Sequence, residues 1–122
     1  MNGQAVNLNY LKSLSGGNDQ FIVRIVNSFC SNAVPIIEDL VQAAERDDSE
    51  TVAACAHKLK TMFRYIGAKQ TADDLELLEG STASLSSEKR IIEAERLHKV
   101  TLLTVQEANE LIRQISEAGQ QI

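Results

Sequence analysis

Apolar residues recur every three or four positions along four separate stretches of this chain, and its single proline, Pro35, falls inside only one of them. A three-and-four spacing lines up side chains on one face of a 3.6-residue helix, whereas a half-buried strand would need strict alternation. The strongest stripe runs from about Gln20 to Arg46 through Ile22, Val26, Phe29, Ala33, Ile36, Leu40 and Ala44. Pro35 removes one backbone donor there. Because the stripe continues in phase beyond it, the expectation is one kinked helix and not two.

The other stretches read in the same way. Asp47 and Asp48 break the pattern, Asp48 or Ser49 caps the next helix, and Val52, Cys55, Ala56, Leu59, Phe63 and Ile66 form a stripe that stops at Gly67. A shorter helix is predicted from about Ala68 to Glu79, with Ala72, Leu75 and Leu78 inward and Gly80 as its stop. After a polar loop, Ser81 to Ser87, a last helix starts near Glu88. It carries Ala94, Leu97, Ala108, Leu111, Ile112 and Ile115 on one face and fades at Gly119. Ahead of all these, Asn7 can cap a short helix from Leu8 to Leu14, ended by the Gly16-Gly17 turn. Four substantial amphipathic helices with short connections bury their stripes together, so the expected fold is all-α. It is an antiparallel four-helix bundle over residues 7–118 with a short additional N-terminal helix.

Composition removes several classes of function. The chain has 122 residues and a net charge of −5, from 17 acidic and 12 basic side chains, which disfavours a duplex nucleic-acid binder that must neutralise phosphates. Cys30 and Cys55 have neither a zinc set nor a Cys-x-x-Cys spacing around them and read as small apolar fillers. No uninterrupted apolar run approaches the roughly 20 residues of a membrane span. The start, Met1-Asn2-Gly3-Gln4-Ala5, lacks the regions of a signal peptide, so the cytoplasm is the expected location. A serine-hydrolase elbow and a glycine-rich phosphate loop are both missing. Glu95 and His98 form one Glu-x-x-His half-site, but His57 has Ala54 at the matching place, so no metal or other cofactor is expected.

His57 is the candidate for chemistry. At about 100° per residue it lies roughly 140° to 155° from the centre of its helix's apolar stripe and should face water, near Ala53, Ala54, Lys60, Thr61 and Arg64. It stands about 15 Å of helix before the Gly67 turn, and Glu79 stands about 18 Å after it, so an antiparallel neighbour returns Glu79 to roughly the level of His57. A carboxylate there accepts the imidazole Nδ1–H and leaves Nε2 as the nucleophile. The bland alternative is that Glu79 simply ends a helix in solvent.

Ala56-His57-Lys58-Leu59-Lys60, then Ile66-Gly67-Ala68, then Leu78-Glu79 resembles the histidine-containing phosphotransfer (HPt) domains of bacterial multistep phosphorelays. Leu11 to Leu14, Gly16-Gly17-Asn18-Asp19, Phe29 and Leu40 extend the resemblance over nearly the whole chain. It implies that His57 is the phosphorylated histidine, Lys60 the cation near the phosphoryl group and Glu79 the hydrogen-bond partner of the imidazole. The implied partners are response-regulator receiver domains, a hybrid histidine kinase being one source of them. The implied module is a monomer without kinase activity, and ATP is used elsewhere, in a separate protein or in another part of a larger hybrid kinase. One residue departs from the pattern: the family usually has glycine four residues after the histidine, and this chain has Thr61, which adds bulk and a hydroxyl donor. Thr61 keeps a second reading open, a docking module that binds receivers without being phosphorylated.

Overall fold

A computed structural model describes residues 6–120; the Met1–Ala5 segment, where a signal peptide would begin, lies outside them. Those residues are 86% helical with no strand among them, which makes the fold all-α. Five helices follow in order: α1 (Leu8–Ser15), α2 (Asp19–Glu45), α3 (Ser49–Tyr65), α4 (Lys69–Ser81) and α5 (Ser87–Gln120). α5 packs on α2, α2 on α3 and α3 on α4, while α1 lies against α2. The last four helices form the bundle.

The caps follow from the sequence. Asn7 and Asn18 accept the backbone N–H groups of Tyr10 and Phe21, and Asp48 accepts that of Thr51, each satisfying a donor that the first helical turn leaves unpaired. Between the helices lies one core. Leu11, Ile22, Val26, Leu40, Val52, Leu59, Phe63 and Ile66 are fully buried, and each large side chain of this kind contributes about 1.5–3 kcal/mol by leaving water. Phe29 and Phe63 meet edge to face, ring centroids 4.9 Å apart, and join α2 to α3.

Several expectations are corrected. α2 runs unbroken through Pro35, but its buried stripe steps from Ala33 to Ile37, whereas Ile36 is only half-buried. The two isoleucines lie about 100° apart on either side of the stripe's centre, and spacing alone does not rank them. α4 passes through Gly80 and ends at Ser81. A glycine halts a helix when the chain turns left-handed there, and Gly80 has no positive φ. In α5 the gap between Leu97 and Ala108 is filled by buried Thr101 and Thr104, whose hydroxyls donate to the Leu97 and Val100 carbonyls at 2.8 and 2.7 Å and so need no other partner. Arg90, which no pattern singled out, is buried. Its guanidinium donates to the carbonyls of Thr82 and Leu85 and to Asp47 Oδ1, clamping the α4–α5 connection to the α2–α3 turn.

The membrane reading also changes in detail. α2 is long and apolar enough to cross a bilayer by length and composition, with a mean hydropathy of 1.2 over 18 residues. Its most apolar stripe is buried in the bundle core instead. As for the cysteines, Cys55 is buried and Cys30 half-buried; both are free, and burial pushes both thiols up from 9.0.

Gly67 sets how α3 turns into α4. Its φ is +74°, and a Cβ there would stand 2.6 Å from Asn7 Cβ and 3.0 Å from the Tyr10 ring. The close approach lets the Asn7 N–H bond the Ile66 carbonyl at 2.9 Å, which ties the start of α1 to the end of α3. Gly67→Ala therefore meets backbone strain and a clash together and should cost about 2–3 kcal/mol, measured as a loss of unfolding free energy in urea. A neutral result would mean that neither the left-handed backbone nor the contact with α1 constrains this turn.

Candidate functional site

His57 sits in the middle of α3 with 61% of its side chain exposed, as a position opposite the apolar stripe requires. On the neighbouring α4, Leu75 and Leu78 are buried against the core, and this register brings Glu79 alongside. His57 Nδ1 and Glu79 Oε2 are 2.9 Å apart. The other carboxylate oxygen, Oε1, accepts from Lys60 Nζ at 2.8 Å. One carboxylate thus serves two donors from successive turns of α3.

Electrostatics decides the tautomer. The Lys60 ammonium, and after it the His57 ring, hold the Glu79 carboxyl below its ordinary value of 4.5. At neutral pH it is ionised and only accepts, so the hydrogen of the contact belongs to Nδ1 and the neutral ring keeps its lone pair on Nε2. Nε2 has no hydrogen-bond partner among the described residues.

Lys60 differs from its sequence expectation. Its place on the helix groups it with the exposed cations, yet its side chain is only 13% exposed. The aliphatic stem lies along the α3–α4 seam and the ammonium emerges beneath Glu79. Arg64, one turn further on, pairs with Glu76, so the seam carries two ion pairs one above the other. Thr61 is exposed one turn after His57, and its hydroxyl donates to the His57 carbonyl at 3.4 Å. Glu95 and His98 both lie on α5, Glu95 exposed and His98 half-buried, and no group of three metal-ligating side chains occurs among the described residues.

The other side of His57 opens on a groove of about 690 Å³ between α2 and α3. Phe29 and Ile66 line its floor. Ile25, Ser28, Asn32 and Ile36 form the α2 wall, and Thr61, Met62 and Tyr65 form the α3 wall. Sequence reading missed this groove. The available signal was a second series on α2, Phe21, Ile25, Ser28, Asn32 and Ile36, offset from the core stripe at the same spacing.

Residues 24–120 match the family model of the Hpt domain. The chain belongs to the Hpt domain family. Hpt domains carry phosphohistidine, transfer phosphoryl groups in two-component phosphorelays and interact with receiver domains. Searches of curated proteins and of solved structures gave no match. In this Hpt domain the matched segment contains α3, α4, α5, most of α2 and the whole His57–Glu79–Lys60 cluster.

Because Glu79 is depressed, its bonds contribute stability that is fully present above the ordinary carboxylate range and is lost as the pH falls through the lowered value. Wild type should exceed Glu79→Gln by up to about 1 kcal/mol at pH 7, since the pairs are partly exposed. The difference should shrink below pH 4.5 and disappear once Glu79 is protonated. Urea titrations of both proteins at stepped pH check it, and a pH-independent difference would deny that the carboxylate charge is what matters.

Proposed function

We propose that His57 is the phosphoryl carrier of this Hpt domain. It accepts the group from the aspartate of one receiver and passes it to the aspartate of another. The observation that carries the reading is an exposed imidazole whose Nδ1 is held by an ionised carboxylate, so that the lone pair stands on the outward nitrogen. In the forward step the Nε2 lone pair forms the N–P bond, the acyl phosphate O–P bond breaks, and the receiver aspartate leaves as carboxylate. No proton needs to leave Nε2, and the positive charge on the ring is balanced by Glu79. The transition state is loose, so the bundle contributes mainly position; the acyl phosphate and its Mg²⁺ belong to the receiver.

Glu79 and Lys60 act here as positioning residues, Glu79 on the ring and Lys60 on Glu79, while both add to the field at the site. The α2–α3 groove is the docking surface. Apolar walls beside the nucleophile and the rim cations Arg24 and Lys58 suit a receiver face centred on an acidic pocket. The module spans 7–118, since α1 is tied to the α3–α4 turn through Asn7. It works as a monomer in the cytoplasm without contacting membrane or nucleic acid. It is not an enzyme in its own right, and ATP is consumed elsewhere, in a separate kinase or in another part of a hybrid kinase.

A receiver charged with acetyl phosphate should label the domain once, through an acid-labile, base-stable bond, and His57→Gln should abolish the label. Labelling that persists in the variant would move the site. A wild type that binds receivers but is never labelled would support the docking-only reading. The groove is tested separately with Ile36→Glu, half-buried in its wall. The apparent KM for the receiver should rise about tenfold, whereas labelling by phosphoramidate, which needs no docking surface, should stay within about twofold. Equal effects on both donors would show damage to the fold and not to docking.

A further inference from the structure

The hydrogen-bond donors around His57 are unevenly occupied. Lys60 Nζ is committed to Glu79 at 2.8 Å, Arg64 to Glu76, and across the groove Asn32 Nδ2 to the Ser28 carbonyl at 2.8 Å. Lys58 comes directly after His57 and points about 100° round the helix. Arg24 lies 13 residues further from the α2–α3 turn than His57 does, roughly 20 Å along the bundle. Arg24, Lys58 and Thr61 all line the groove with His57, but Thr61 stands one turn away on the same face, and its side chain leans back towards that turn. Thr61 is exposed, and the bond from its hydroxyl to the His57 carbonyl, at 3.4 Å, is longer than an ordinary O–H···O bond.

We propose that the Thr61 hydroxyl is the donor that holds a phosphoryl oxygen on His57, so that Thr61 sets how strongly this domain retains its phosphoryl group. The inference rests on the reading of His57 as carrier. Once the N–P bond has formed at Nε2, the phosphoryl oxygens, which share the negative charge, reach into the groove that His57 and Thr61 both line. Thr61 rotates about χ1, gives up its weak carbonyl contact and donates to one of them. No bond to Thr61 is made or broken and no proton is transferred, so the effect falls on the free energy of the phosphorylated state. With the hydroxyl in place, the exchange with a receiver lies further towards phosphohistidine.

A partition experiment isolates that effect. Equal amounts of wild type and a variant are mixed with a trace of receiver charged by acetyl phosphate, which carries phosphoryl groups between them until the ratio is the same whichever protein was labelled first. Intact-protein mass spectrometry then reads the ratio. Thr61→Val keeps the shape and loses the hydroxyl, Thr61→Ser keeps the hydroxyl, and Thr61→Gly removes both; Thr61 is exposed, so none disturbs the core. Valine and glycine should hold about fivefold less phosphoryl group than wild type, the net value of one hydrogen bond, and serine should stay within about twofold. Equal partition for valine overturns the inference, and so does a loss in glycine alone, which would assign the effect to bulk. A wild type that takes no label overturns the carrier reading itself, and this proposal with it.

Discussion

The two oxygens of the Glu79 carboxylate divide their work between His57 and Lys60, and the site depends on that division. A carboxylate facing only the imidazole would be free to swing, because the histidine side chain is largely exposed and offers little packing to hold it. The second bond, to an ammonium whose stem is nearly covered, fixes the carboxylate from below. It also keeps the carboxyl ionised, which puts the hydrogen on Nδ1 and the lone pair on Nε2. Lys60 thus acts on the ring through Glu79. Its charge is not the freely exposed one that its place in the motif suggests.

Much of this was legible in the sequence. The stripes of four helices, with the Asn7 cap and the Gly16-Gly17 turn for the short first one, place all five to within one or two residues, and counting residues across the Gly67 turn placed Glu79 level with His57, because rise per residue and turn length are nearly constant. Less legible was what depends on a second helix. Lys60 sits at an angle open to either solvent or α4, and only the position of Glu79 decides between them. Ile36 and Ile37 flank the same stripe, and which is buried depends on where the neighbouring helices stand. Thr101, Thr104 and Arg90 broke the apolar pattern although each is buried. Their polar groups are satisfied by backbone carbonyls and, for Arg90, also by Asp47, partners that periodicity does not show.

The groove beside His57 arises from the same unevenness of packing. Phe29 fills the core against Phe63 and also forms part of the groove floor, so the aromatic contact that joins α2 to α3 lies beneath a surface left open. Ile36 and Met62 are half-buried there and Tyr65 is 58% exposed, an apolar strip that the bundle leaves uncovered. Exposed apolar surface costs solubility, and here it lies directly beside the imidazole whose outer nitrogen is free.

The far end of the bundle shows how the register of α4 is kept. α4 lacks a side-chain cap at its start, where it is anchored by the Gly67 turn, the Ala68 N–H on the Phe63 carbonyl and the packing of Thr71 and Ala72. Beyond its other end, three residues past Glu79, the buried Arg90 guanidinium takes the Thr82 carbonyl and the Leu85 carbonyl and reaches Asp47, held at a φ of +61° in the α2–α3 turn. Sliding α4 by even part of a turn would have to break these bonds in a place with little water to replace them. α4 and α5 approach each other less closely than the other neighbours, with Arg96 on Asp74 bridging them, so helix packing alone would leave this side the easiest to move. A polar clamp at the loop supplies the constraint that packing does not. Phosphoryl transfer through a loose transition state needs such fixity, since reactivity there rests on where the attacking nitrogen stands more than on any further protein group acting on the phosphorus.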